Sequence, residues 1–546
     1  MPVVQVYFDR LTSMLRGKAS KKHLAETIPY LGLDLEEVTD EYLRIEYNPN
    51  RPDFATDYGL AKALNSFLDF ESKWDDYKVA QGKITVKVDQ SLQKIRPYLV
   101  GAVARNIKLD DESIRQIIAL QEDLHNGIGR MRRKVSIGIH NLDSLKPPLE
   151  YLAIEPSFPF VPLNESRSMK MSEILAETET GREYAHLVNQ FPRYPLLRDS
   201  TGGVLSFPPI INGNLTKLNN NTKNLFIDIT ATDLKTAENA LAVLTTTLSD
   251  AGANIESVKV QYPDNAIITP DLLPRKSVID PEYANKLLGL RLTKEQMLES
   301  LRRSRITAKI VGGKIEATVP RYRIDIMHPV DLVEEVALGY GIFRIEPSFP
   351  ASTTVGKYDR TQVVLSRVRE VLVGLSMMEV VNFSLVGEEL LRNAGIDSPT
   401  IKVDKSKSAE HEVLRPSLMP SILLTLSKNI HEEYPQRIFE IGKVFSKGDE
   451  IKEEYRVAGA VSHSTANFTE IHSHLSSLLK QTFGAEFATK ATSSAPFIEG
   501  RTAGILYEGK NCGVLGEVHP KVLQSFGMRN PVAAFELRLF PFLRDV

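Results

Sequence analysis

Four carboxylates stand close together in one short stretch: Asp325, Asp331, Glu334 and Glu335. Carboxylate oxygens at that density suit a hard divalent cation, which takes oxygen ligands. The spacing serves such an ion if Asp331, Glu334 and Glu335 lie on one helical face, where residues three and four apart are neighbours. Asp325 reaches the same place from the end of a preceding strand. A competing reading is equally physical. Acidic residues favour helix N-termini because the macrodipole and the free amides welcome them, so the same residues also serve as caps. Arg321 and Arg323 stand ready to neutralise part of the group. A second set, far upstream, offers different chemistry. Leu205-Ser-Phe-Pro-Pro-Ile-Ile-Asn212 supplies a hydroxyl, a ring, two prolines and an amide, and Asp228 interrupts an apolar alternation over 225–230. Small polar groups beside apolar walls make a pocket for a neutral, partly apolar ligand. The sequence holds no glycine-rich phosphate loop and no Ser-His-Asp pattern.

The elements that must position these groups can be read from periodicity. Residues 320–326 alternate as a half-buried strand does. Pro329 can open a helix, because a first-turn residue has no need of its missing amide hydrogen. Val330, Leu332, Val333, Val336 and Ala337 mark the buried face of that helix, and Gly339 or Gly341 can end it. Immediately upstream, helices over 281–288 and from the capping box Thr293-Lys-Glu-Gln296 to residue 303 precede a hairpin turning at Gly312-Gly313. Helix, helix and hairpin make a winged-helix-like module at 268–347. That shape serves DNA binding and protein contacts alike, so it does not decide function.

The pocket-forming residues belong to a mixed unit at 91–267. A strand over 98–106 is followed by a helix from Asp111, with Ile114, Ile117, Ile118, Leu124, Ile128 and Met131 at helical spacing. Arg130, Arg132, Arg133 and Lys134 read as the basic end of that helix, complementing its dipole, with contact to phosphate as the second option. A strand over 134–140 ends at His140, which reads as structural. Asp199–Gly203 is a hairpin turn, and the adjacent prolines 208 and 209 force an edge or a loop, since they cannot donate to a central ladder. A strand over 225–230, a helix over 232–248 and a strand over 255–262 complete the unit.

Residues 1–90 read as a small α+β unit with strands over 3–8 and 42–47 and helices over 21–33 and 58–68. The loop Asn48-Pro-Asn-Arg-Pro-Asp53 is held extended by its prolines, and Asp53 is placed to cap the following helix. Residues 348–546 read as an antiparallel sheet with flanking helices. The fold class is therefore α+β, multidomain. Composition agrees: 546 residues exceed one core, and 42% hydrophobic with 25% charged residues is ordinary for a globular protein. A net charge of -2 excludes a globally basic nucleic-acid binder but not a local basic surface. A single cysteine, Cys512, excludes an intramolecular disulfide and a cysteine metal site. With no signal-peptide pattern and no membrane-length apolar run, the expected location is cytoplasmic.

The order of motifs resembles a known family: the β subunits of phenylalanyl-tRNA synthetases of the archaeal and eukaryotic-cytosolic type. The resemblance rests on Glu46-Tyr-Asn-Pro-Asn-Arg-Pro-Asp53, the stretch from Leu205 to Gly213, Pro320-Arg-Tyr-Arg-Ile-Asp325 with Val330-Asp-Leu-Val-Glu-Glu335, Arg437-Ile-Phe-Glu-Ile-Gly-Lys-Val-Phe445, Gly513-Val-Leu-Gly-Glu-Val-His-Pro520 and Phe535-Glu-Leu-Arg-Leu539. It implies an α2β2 enzyme that attaches phenylalanine to tRNA(Phe) with ATP and magnesium, with no membrane or DNA partner. It implies that the synthetic site lies on the α subunit. Residues 348–546 would then be a degenerate class II synthetase domain serving as an interface, since Phe497-Ile-Glu-Gly-Arg501 lacks the Gly-x-Gly-x-x-Arg strand of that class. It implies that Asp325, Asp331, Glu334 and Glu335 are magnesium ligands. It also implies that 91–267 is an editing domain that hydrolyses Tyr-tRNA(Phe), with Leu197 as an apolar wall, Ser206 and Asn212 orienting ester, water or ribose, Asp228 receiving the tyrosine hydroxyl, and Thr230 as an addition. The alternative is a non-catalytic scaffold for the α subunit and tRNA, with a degenerate editing pocket.

Overall fold

Strands Val3–Tyr7, Tyr42–Glu46 and Asp34–Val38 form a small antiparallel sheet in that spatial order. Its inward residues Val4, Val6, Leu43 and Ile45 join one core with Leu60, Ala61 and Leu64 of helix Asp57–Phe67. The computed structural model describes residues 1–72, 77–219, 221–350, 354–404, 406 and 408–543, and the chain divides into two compact units, Met1–Phe349 and Pro350–Val546. Thr56, not Asp53, caps helix Asp57–Phe67, its side chain accepting the Gly59 amide. Asp53 is diverted because Arg51 takes both its oxygens, each at 2.9 Å.

A ten-stranded mixed sheet dominates the first unit. Its main path runs from the edge strand Ile211–Asn212 through Val204–Phe207, Tyr194–Arg198, Leu149–Ile154, Val79–Val88, Asn254–Gln261, Tyr98–Arg105 and Leu225–Ala231 to Val135–Asn141. The strand at 79–88 thus begins the large sheet ahead of residue 91. Strand alternation divides the side chains between two layers. From Tyr98–Arg105, Val100, Ala102 and Ala104 face helix Leu234–Asp250 and its Ala237, Leu241 and Leu244. Leu99 and Val103 enter the opposite core with Tyr151, Leu197 and Phe226. From Leu225–Ala231, Leu225, Ile227, Ile229 and Ala231 take the helical side, so Phe226, Asp228 and Thr230 fall on the other.

Helix Asp111–Asn126 stops four residues before the basic cluster. Gly127 and Gly129 follow, and Arg130, Met131 and Arg132 adopt positive φ of 49°, 54° and 60°. Met131 is therefore 53% exposed rather than part of the helix's buried stripe.

In the module at 268–347, strands Arg275–Ile279, Lys314–Val319 and Thr307–Val311 form an antiparallel sheet against helices Pro281–Leu288, Lys294–Arg303 and Pro329–Tyr340. Both halves of the Thr293–Gln296 capping box are made. Gly312 and Gly313, at φ +55° and +82°, turn the hairpin as the sequence predicts. Residues 320–326, expected as a strand, form none. Local bonds curl the chain instead, from the Arg323 amide to the Pro320 carbonyl and from the Ile324 amide to the Tyr322 carbonyl.

The second unit holds a seven-stranded sheet, antiparallel except where Met378–Glu379 pairs with Gln436–Lys447. Helices Arg360–Gly374 and Phe468–Phe483 cover one face through Leu365, Val368, Leu475 and Leu479. Helix Met419–Lys428 covers the other through Ile422, Leu423 and Leu426.

Candidate functional site

Where the edge strands of the large sheet approach helix Asp111–Asn126, they enclose a cavity of about 430 Å³. Ile114, Ile117, Ile118, Ile137, Ile139 and Leu218 make its apolar wall, while Ser206, Asn212, Thr216 and Asp228 supply polar groups. Ser206 and Asn212 face each other as cross-strand partners, so pairing alone brings that hydroxyl and that amide together. Buried polar atoms without partners are rare in native proteins and call for an explanation. Among the described residues there are seven such side-chain atoms, and three of them, Ser206 Oγ, Thr180 Oγ1 and Arg132 Nε, belong to residues lining this cavity. The cavity thus combines an apolar wall with polar atoms that have no partner within the chain.

Asp228 is 1% exposed and sits between glycines on both neighbouring strands, opposite Gly101 and Gly138. Gly138 is required there: a Cβ would lie 2.3 Å from Asp228 Oδ1 and 2.5 Å from His140 Nε2. His140, read from sequence as structural, is bonded to the predicted site. Its Nε2 lies 2.6 Å from Asp228 Oδ1 and its Nδ1 lies 2.7 Å from Thr216 Oγ1. A carboxylate only accepts, so Nε2 directs a hydrogen at Asp228. The missed signal was strand alternation: His140 pairs with Phe226 and shares the Asp228 face.

The remaining two predicted pocket residues do not line the cavity, although Leu197 is also a cross-strand partner of Ser206. Leu197 is fully buried in the core with Leu149, Tyr151 and Leu205. The Thr230 hydroxyl accepts from Arg96 Nε at 2.9 Å, while Arg96 Nη2 donates to the Thr230 carbonyl at 2.8 Å. Burial pushes the Arg96 guanidinium down to about 10, partly offset by Tyr151 and Asp228. Thr230 thus stands behind Asp228, positioning an arginine.

At the other end of the cavity, Arg132 donates to Glu122 at 3.0 Å and to the Ile210 carbonyl at 3.0 Å. His125 Nε2 accepts the Ile137 amide at 2.8 Å, and its Nδ1 meets Glu122 at 3.1 Å. That geometry fixes a neutral imidazole, and burial lowers its affinity for a proton. Burial would raise Glu122, but His125 and Arg132 hold it down to about 2.

The four carboxylates of the opening set do not converge. Asp325 and Glu335 both close on Arg323, a guanidinium only 1% exposed, with Arg323 Nη2 to Asp325 Oδ2 at 2.7 Å. These carboxylates raise Arg323 further above its ordinary range despite its burial. Asp331 caps its helix, accepting the Met327 amide at 2.7 Å and the His328 amide at 2.6 Å. Glu334 is exposed. As arranged, the set does not fit a divalent cation: Arg323 takes Asp325 and Glu335, and Asp331 is engaged by backbone amides. Among the described residues no group of three or more His, Cys, Asp or Glu side chains is disposed to hold a metal ion.

Comparison with known proteins bears on the whole chain. Residues 278–342 match the tRNA synthetase B5 domain, and residues 345–539 match the phenylalanyl tRNA synthetase beta chain CLM domain. The phenylalanine–tRNA ligase beta subunit of Archaeoglobus fulgidus is 39% identical, over 99% of each chain. That of Pyrococcus furiosus is 38% identical over 100% of each. A solved N-terminal fragment of the phenylalanyl-tRNA synthetase beta subunit from Pyrococcus horikoshii superposes with a TM-score of 0.60 at 37% identity, covering 62% of this chain and 99% of the fragment. Similarity at this level over the full length shows that the chain belongs to the phenylalanyl-tRNA synthetase β-subunit family, of the archaeal type.

Proposed function

We propose that this chain works with an α subunit in an α2β2 enzyme that charges tRNA(Phe) with phenylalanine, and that its own cavity hydrolyses Tyr-tRNA(Phe). ATP and its magnesium enter with the synthetic reaction, on the α subunit. The observation that carries the hydrolytic reading is the cavity itself, which gathers Ser206, Asn212 and Asp228 and leaves the Ser206 hydroxyl without a partner. Its apolar wall suits an aromatic side chain. A synthetic site shaped for phenylalanine cannot strongly reject an analogue that adds one hydroxyl, so a second site must recognise that hydroxyl.

Asp228 supplies the recognition. Held by His140, its carboxylate accepts the phenolic O–H of tyrosine. Phenylalanine would leave the buried carboxylate without that donor, at a cost that excludes it. Ser206 and Asn212, paired across the edge strands, orient the ester and the attacking water. Water adds to the ester carbonyl, the bond between that carbon and the ribose oxygen breaks, and the ribose oxygen leaves with a proton; tyrosine and free tRNA result.

The test uses the reconstituted α2β2 enzyme. Asp228→Asn and Ser206→Ala should each slow Tyr-tRNA(Phe) deacylation by roughly 10²-fold, while phenylalanine charging holds. Should the wild-type complex charge phenylalanine yet leave Tyr-tRNA(Phe) intact, the chain is a scaffold with a degenerate pocket. If no complex forms on co-expression and the α subunit charges unaided, the assembly reading fails too.

A further inference from the structure

We propose that the left-handed turn at Arg130–Arg133 grips the RNA phosphates next to the ester that occupies the cavity. This rests on the hydrolytic reading above and adds the residues that hold the polynucleotide. The turn is costly to build. Arg130, Met131 and Arg132 take φ of 49°, 54° and 60° in succession, a conformation that L side chains adopt rarely because Cβ then crowds the following carbonyl oxygen. Strained backbone of this kind collects at functional sites when the surroundings fix it. Here they do. The Arg132 amide donates to the His125 carbonyl at 3.2 Å, the Lys134 amide to the Gly129 carbonyl at 2.8 Å, and Arg96 Nη1 to the Arg133 carbonyl at 3.2 Å.

The turn sorts the basic side chains. Arg132 points into the cavity wall, its Nε buried without a partner. Arg130 and Arg133, on either side of it, are exposed. Among the described residues neither of their side chains makes an ion pair or a hydrogen bond. In contrast, Arg132 itself pairs with Glu122, and Lys134 with Asp233 at 3.5 Å. Two free guanidinium groups beside an apolar cavity have no use for the side chain of tyrosine, which is neutral. What that amino acid is attached to carries phosphates, and arginine forks match phosphate oxygens. A continued helix would have placed these residues around its axis; the left-handed turn leaves Arg130 and Arg133 exposed on either side of Arg132, which lines the cavity.

The experiment compares wild-type α2β2 enzyme with the Arg130→Ala/Arg133→Ala double variant on three measurements. For deacylation of Tyr-tRNA(Phe), KM should rise about tenfold with kcat unchanged. Hydrolysis of 2′(3′)-O-tyrosyl-adenosine, which lacks the phosphates, should not change. For binding of a short hairpin carrying the acceptor stem and its single-stranded end, the slope of log K against log salt should flatten by about 1.5, as expected for two phosphate contacts. Lysines at both positions should restore the slope, since they return the charge. An unchanged KM together with an unchanged slope overturns the proposal. If wild-type enzyme hydrolyses neither ester, the hydrolytic reading fails, and the hairpin slopes still decide the role of the turn.

Discussion

Asp228 shows how much a single residue depends on its neighbours. An aspartate inside an apolar strand is visible in sequence, but its room comes from Gly138 and its partner from His140. Gly138→Ala should therefore displace the pair, abolishing Tyr-tRNA(Phe) deacylation while leaving phenylalanine charging intact; unchanged deacylation would contradict the geometry. His140→Ala removes the donor from a buried carboxylate, so stability should fall by about 1–3 kcal/mol, read from denaturant midpoints. His125 makes a prediction in pH. Burial lowers its proton affinity in the folded chain below the ordinary value of 6.5. The unfolded chain then binds more protons on acidification, so this contribution to stability is whole above about pH 6.5 and is lost as pH falls through the folded value. Tm of the wild type should drop more steeply between about pH 6.5 and 5 than Tm of His125→Gln. Equal slopes would remove His125 as the cause.

At the scale of elements, local rules succeeded where local chemistry was complete. The Thr293–Gln296 box and the Gly312-Gly313 turn were legible because their hydrogen bonds and backbone angles close within four residues. Thr293→Ala should cost about 1 kcal/mol, seen as a lower denaturant midpoint with an unchanged slope. Local rules failed where a neighbouring group offered a competing bond. Arg51 diverted Asp53 from capping, which fell to Thr56, and residues 320–326 lost their strand to the bonds that curl the chain at Arg323. The helix from Asp111 ended early at its glycines although the apolar spacing continued to Met131.

Across the first unit, the buried ion pairs tie the loop after residue 47 to the turn before residue 329. Arg51 holds Asp53 and lies 3.9 Å from Glu335, which Arg323 also holds. Buried charge is costly to leave unpaired, so Arg323→Ala, which strands Asp325 and Glu335, should destabilise the protein by about 3–5 kcal/mol. Chelation of divalent ions should leave Tm where it was. A chelator that lowers Tm as much as Arg323→Ala does would return the cluster to a metal. Among the described residues no helix is long and apolar enough to cross a membrane.

By itself the sequence determined the α+β class, most elements and the family, because apolar period, turn residues and motif order are properties of the chain read in one direction. It singled out Ser206, Asn212 and Asp228, and pairing and alternation bring these three to one cavity. Tertiary structure alone decided that His140 bonds to Asp228 and that Leu197 and Thr230 do not line the cavity. It also decided that, of four carboxylates crowded in sequence, two close on a buried arginine while Asp331 caps its helix and Glu334 is exposed. The reason is common to all three: a side chain's partner is set by which strand or turn lies opposite it, and spacing along the chain does not contain that distance.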